Sequence, residues 1–165
     1  MIKYLSERIR KPTSEQEIRI VQALSKFCNP LTYYIVCFDC KRAAPMVNKN
    51  FYPNSCPLCE TPFETLGQYC LPDVILSLPE NKNAVIFVNG GVHLKRNVKA
   101  KDKYQMLMLK RMGFKIFVIT NEEVDILRNM NLAATMKGIL DATHDDQLYD
   151  LYMKDEKEIY GLAWH

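Results

Sequence analysis

Residues 72–120 read PDVILSLPENKNAVIFVNGGVHLKRNVKAKDKYQMLMLKRMGFKIFVIT. Asp73 to Leu78 predicts a strand and Pro79 to Asn83 a turn. Ala84 to Asn89 predicts a second strand, whose unbroken apolar character suits burial on both faces. Gly90-Gly91 lets the backbone leave a sheet sharply or approach a ligand closely. Val98 to Met112 has helical spacing, with Tyr104, Leu107, Met108 and Arg111 on one broad face. Gly113 ends that helix, and Phe114 to Thr120 is a third buried strand. Strand, helix and strand with short joins imply a parallel pair. If the first two runs form a hairpin, Asp73 at the head of one and His93 just past the other come to one end of the sheet.

Working outward, Ser14 can cap a helix, and Glu17 stands three residues later, as a capping box requires. Ile18, Val21, Leu24 and Phe27 recur on one helical face, and Asn29-Pro30 stops the helix. Glu17 therefore has a purely local reading as a capping residue. After the core stretch, Asn121 begins another helix running to about Asn129, and Leu132 to Leu140 and Gln147 to Met153 are helical too. The chain shows no internal repeat or low-complexity segment.

Between these parts lies the strongest local signal. Tyr33 to Cys37 is a short β-type run. Cys37-Phe-Asp-Cys40 is followed, after fifteen intervening residues, by Cys56-Pro-Leu-Cys59. That is the spacing of a four-cysteine zinc site. Each two-residue gap forms a tight knuckle that presents both sulfurs to one ion, and four thiolates close a tetrahedral shell. Such a site is structural, with no open position for substrate. Two disulfides or a redox pair are the alternatives. The lack of an export signal argues against the first, and two pairs flanking β-type sequence argue against the second. Zinc would contribute on the order of 10 kcal/mol to folding this segment. Cys28 and Cys70 fall outside the spacing and read as free buried thiols. Thr61 to Leu71 leads back to the main body as a further strand.

The chain has 165 residues, is 48% hydrophobic and 25% charged, and carries a net charge of +3. One domain, 1–165, with a real core is expected, carrying a zinc-ribbon insertion at about 33–63. No apolar run has the length of a membrane span. MIKYLSERIRK lacks a signal-peptide core, so an intracellular protein is expected, cytoplasmic or nuclear. The net charge decides nothing about nucleic acid. Its distribution says more: Lys95, Arg96, Lys99, Lys101 and Lys103 crowd the segment after His93, while the C-terminal end is acidic. A solvated surface is the plain reading of both.

Glu17, Asp73, His93 and Asp102 follow a recognisable order in SEQE, PD, VIFVNGGVH and KDKYQMLMLKRMGFKIFVIT. That order resembles the very-short-patch-repair endonucleases and their homing-endonuclease relatives, a Glu, Asp, His, Asp branch of the PD-(D/E)xK restriction-endonuclease-like superfamily. The resemblance covers about half the chain, mainly Pro72 to Glu123. It implies an α/β fold, a restriction-endonuclease-like mixed sheet flanked by helices, and a metal-dependent DNA endonuclease. Carried over residue by residue, Asp73 and the carbonyl of Val88 hold Mg2+, His93 is the base, and Glu17 and Asp102 are supporting acids. Lys95, Arg96, Lys99, Lys101 and Lys103 then face the DNA backbone.

The chain departs from the wider superfamily at Phe87 and Asn89, where an acid and a lysine are usual. The branch itself tolerates an apolar residue at the first place, but many of its members have Asp at the second. The alternative is a catalytically inactive DNA- or protein-binding factor on the same fold. A third reading makes the cysteine module a docking element of a larger nucleoprotein assembly.

Overall fold

A computed structural model describes Arg10 and residues 13–89 and 100–160. Among the described residues the chain is mixed α/β, with two three-stranded sheets, five α-helices and a four-cysteine cluster. The elements are α1 (Glu15–Leu24), β1 (Tyr34–Cys37), β2 (Arg42–Pro45), β3 (Tyr69–Cys70), β4 (Val74–Leu78), β5 (Lys82–Asn89), α2 (Ala100–Arg111), β6 (Phe114–Thr120), α3 (Asn121–Asp125), α4 (Asn129–His144) and α5 (Asp146–Tyr160).

The three apolar runs build the main sheet, ordered β4-β5-β6. β4 and β5 pair antiparallel with Val74 opposite Ile86, and β5 and β6 pair parallel with Val88 opposite Ile119. Alternation along each strand splits the apolar side chains between two faces. Val74, Leu76, Ala84, Ile86, Phe117 and Ile119 pack beneath α1, α4 and α5. Ile75, Val85, Ile116 and Val118 pack on the other face with Met106 and Leu109 of α2 and Val36 of β1. The central residues Ala84, Val85 and Ile86 are wholly buried, as expected for a strand covered on both sides.

β6 is an edge of this sheet among the described residues. Its outward backbone groups are met by tyrosine hydroxyls of α5. The N–H of Ile116 donates to Tyr149 Oη at 2.9 Å, and that of Val118 to Tyr152 Oη at 3.1 Å. The same hydroxyls donate back to the carbonyls of Ile116 and Val118. Burial pushes the Tyr149 phenol up to about 12, so it stays protonated and able to donate.

The second sheet, β2-β1-β3, belongs to the cysteine ribbon. It has its own small core of Ile35, Met46, Phe63 and Tyr69, with Phe63 stacked on Tyr69 at 4.6 Å. Apolar contacts of Val36 and Phe38 and further hydrogen bonds join ribbon to body. Leu31 forms an antiparallel bridge with Ile75 on the free side of β4, and Gln105 of α2 donates to the Tyr69 carbonyl at 3.1 Å.

Several helical faces differ from those read off the sequence. α1 ends at Leu24, five residues before Asn29, with Ser25 as its C-cap. Phe27 therefore lies beyond the helix, and it and Ile18 are exposed while Ile20, Ala23 and Leu24 form the buried face. On α2, Met106 and Leu109 face the sheet, whereas Tyr104 is half exposed and rests edge-on against Phe38. The helix expected from Asn121 to Asn129 is α3 alone, capped by a reciprocal Thr120–Glu123 box, and α4 starts afresh at Asn129. Thr61 to Leu71 is broken by a helical turn at Leu66–Gln68. There the Gln68 side chain accepts from the N–H groups of Glu64 and Thr65, and a strand resumes for two residues. No helix among the described residues is long and apolar enough to cross a membrane.

Candidate functional site

Asp73 sits one residue before β4, at the end of the hairpin where β5 runs past its partner. Its Oδ2 accepts the Val88 N–H at 2.7 Å. Val88 lies two residues beyond Ile86, which faces Val74, so its N–H and carbonyl both turn to the β4 side. Asp73 and the Val88 carbonyl thus share one sheet end.

Glu17 approaches the same place from α1. Ser14 Oγ accepts the Glu17 N–H at 3.2 Å. The helix N-cap read from the sequence at Ser14 is therefore present. The helix pitch also puts Glu17 one turn ahead of Ile20 and two ahead of Leu24, both in the apolar cluster that includes Val74 of β4. The Glu17 charge reaches Asp73, and the Arg10 charge acts on both carboxylates. Burial raises the Glu17 carboxyl, and hydrogen bonds from Ser14 and the Arg10 charge oppose the rise. Asp73 is pushed further, to about 7. Burial is the chief cause, the Val88 N–H opposes it, Glu17 adds to it and Arg10 opposes it. Two carboxylates sharing a poorly solvated end of a sheet favour a cation there.

Of the remaining residues expected at this site, Asp102 falls in the first turn of α2 by its backbone; its side chain, that of Lys101, and all of His93, Lys95, Arg96 and Lys99 lie outside the described residues. The approach of Asp73 to His93 is among the expectations so placed. Lys103 is exposed on α2. Phe87 is partly buried against the apolar cluster of Ile75, Val85 and Met106. Asn89 ends β5 opposite Thr120.

The four spaced cysteines converge. The Sγ atoms of Cys37, Cys40, Cys56 and Cys59 all lie within 4.8 Å of one another. Cys37–Cys59 and Cys40–Cys56 are each 3.8 Å apart. A disulfide needs about 2.0 Å, so these are free thiols. Four sulfurs at about 2.3 Å from one zinc ion would be about 3.8 Å apart along each tetrahedral edge, and the donor set fits that geometry. The Cys56 knuckle is formed too: its sulfur accepts the N–H groups of Leu58 and Cys59, each at 3.4 Å. Such N–H···S bonds stabilise a thiolate.

Burial pushes the Cys37 thiol up to about 12. Cys59 is held down to about 6, by the side chain and then the backbone of Thr61. Thr61 Oγ1 is 3.2 Å from Cys59 Sγ and donates to Asp39 Oδ2 at 2.8 Å, an outer layer that orients one ligand. The cluster could hold a zinc ion. Cys70 is buried and Cys28 partly so, and neither forms a disulfide.

Sequence reasoning missed Arg10. Its backbone N–H donates to the Asn50 carbonyl at 2.9 Å, and Nη1 to the Lys49 carbonyl at 3.0 Å. It therefore ties the ribbon to the carboxylates, a link between distant segments that no local pattern announces.

Comparison of the chain with protein-family models, with curated proteins and with solved structures finds no match in any of the three.

Proposed function

We propose that this chain is a metal-dependent DNA endonuclease of restriction-endonuclease-like type, related to the very-short-patch-repair branch, with a structural zinc ribbon inserted between α1 and β4. The observation that carries the reading is the end of the β4–β5 hairpin, where Asp73, the Val88 carbonyl and Glu17 bring oxygen donors together.

Hard divalent cations take oxygen ligands, and Mg2+ keeps several waters, so one carboxylate and one carbonyl suffice as direct protein contacts. A bound Mg2+ would neutralise charge on the scissile phosphate and acidify a water. Asp73 and the Val88 carbonyl would hold the ion, the Asp73 position being fixed by the Val88 N–H. Glu17, in the first turn of the helix that Ser14 caps, would orient water on the open side. His93 follows β5 by four residues in sequence and would take the water's proton near neutral pH. Asp102 would support His93, and Lys95, Arg96, Lys99, Lys101 and Lys103 would hold the DNA backbone. The cysteine cluster would bind zinc with all four positions filled and stabilise the ribbon.

The test is cleavage of supercoiled plasmid with Mg2+ or Mn2+. Activity lost in Asp73→Asn and His93→Ala supports the site, and activity persisting in both rules it out. Phe87 favours a second reading. It packs among apolar side chains where the wider superfamily places an acid, which suits a catalytically inactive DNA- or protein-binding factor. That reading expects salt-sensitive DNA binding and no cleavage with either ion.

A further inference from the structure

A group of charges remains unused beside the carboxylates. Leu31 pairs with Ile75 in an antiparallel bridge. Continuing that register sets Tyr33 across from Asp73, on the β4 edge opposite β5. Tyr33 has a positive φ of 59°, a conformation uncommon for a bulky residue and one that turns the chain out of the bridge into β1. Its carbonyl accepts the Met46 N–H at 2.8 Å, and its hydroxyl hydrogen-bonds Thr13 Oγ1. The ring is thus fixed at both ends.

Two cations gather on this ring. The Arg10 guanidinium lies 5.5 Å from its centre and the Lys49 ammonium 5.0 Å. The ribbon tip holds both in place, because Arg10 is bonded to the carbonyls of Lys49 and Asn50, while the Asn50 N–H donates to Asn48 Oδ1 at 3.0 Å. Among the described residues neither cation forms an ion pair. A ring contact offsets part of the mutual repulsion at about 0.5–1 kcal/mol per exposed cation. The Glu17 and Asp73 carboxylates offset part of the Arg10 charge. An anion held between the guanidinium and the Lys49 ammonium would relieve the remaining repulsion between the two cations.

We infer that Arg10 and Lys49, assembled on Tyr33 by the ribbon tip, form a subsite for a DNA backbone phosphate beside Asp73. The inference rests on the nuclease reading and deepens it by giving the ribbon a part in substrate binding. A forked guanidinium and a mobile ammonium suit phosphate oxygens. Their place across β4 from the hairpin lets them hold the strand near the phosphate that faces the carboxylates. The ribbon would then have two tasks, since the fold it gains from its cysteines also fixes Arg10.

The experiment measures binding of a fluorescent DNA duplex by zinc-loaded full-length protein in Ca2+, across a salt series, for wild type, Lys49→Gln, Arg10→Gln and the double variant. Circular dichroism and zinc content report folding. Lys49 is exposed, so Lys49→Gln tests the idea even if Arg10→Gln loosens the ribbon. Arg10→Lys keeps the charge and should keep most of the affinity. Each neutralised contact should weaken binding about eightfold at 0.1 M salt and reduce the slope of log K against log salt by about one. Salt-sensitive binding by wild type with neither quantity changed in Lys49→Gln and Arg10→Gln overturns the subsite and leaves the nuclease reading intact. A wild-type protein that neither binds nor cuts DNA overturns both.

Discussion

Replacing Asp73 with Asn should stabilise the Mg2+-free protein above neutral pH. The Asp73 carboxyl is raised from 3.8 to about 7, chiefly by burial, with Glu17 adding to the rise and Val88 and Arg10 opposing it. Because the folded state holds this proton more tightly than the unfolded chain, stability falls as pH climbs from about 4 to about 7 and is level beyond. A rise of about three units, at 1.36 kcal/mol each, is about 4 kcal/mol. Asp73 keeps some contact with solvent, which scales the figure to about 2–4 kcal/mol. Asn cannot ionise, and its side-chain oxygen can still accept the Val88 N–H. Urea unfolding of zinc-loaded protein at several pH values should therefore show similar stabilities near pH 4 and an Asn advantage opening to about 2–4 kcal/mol by pH 8. Saturating Mg2+ should restore wild type and leave Asp73→Asn unmoved, because an ion that binds the folded form stabilises it by mass action. A pH-independent difference, or an Asn variant less stable throughout, would show that Asp73 is a satisfied strand cap and refute the reasoning.

Two further outcomes follow from other parts of the molecule. Cys40→Ser and Cys59→Ser should each abolish stoichiometric zinc, measured by a metal-sensitive dye after denaturation, and unfold the ribbon; zinc retained at full occupancy in both would remove the four-thiolate site. Tyr152→Phe should cost about 1–3 kcal/mol in urea unfolding, because the Val118 N–H and carbonyl on the β6 edge lose their shared partner while the ring's packing is kept. A cost below about 0.5 kcal/mol would mean that water replaces the hydroxyl without loss.

The main sheet was legible because its strands are apolar on both faces, as Ala84, Val85 and Ile86 show. The cysteine cluster was legible because knuckle spacing is a covalent constraint. Helical faces were harder. Of the expected face Ile18, Val21, Leu24 and Phe27, Leu24 is buried, together with Ile20 and Ala23, and the early end of α1 leaves Phe27 outside the helix. The helix start at Ser14 was legible because a capping hydroxyl has a local pattern, whereas the reach of the Glu17 charge to Asp73 depends on how α1 docks on the sheet. Arg10 left no signal: its partners are carbonyls at Lys49 and Asn50, and a backbone acceptor has no sequence signature. Tyr33 entered the site through the Leu31–Ile75 bridge, which follows directly on Asn29-Pro30, a pair that reads as a helix stop rather than as the start of a pairing segment.

The most direct test of the account is a crystal of the zinc-loaded protein soaked in Mn2+ and measured at the manganese edge. The account predicts an anomalous peak within about 2.3 Å of an Asp73 carboxylate oxygen, with the Val88 carbonyl on the same ion and the His93 imidazole one water away. No peak at Asp73, or His93 at the opposite end of the sheet, would contradict it.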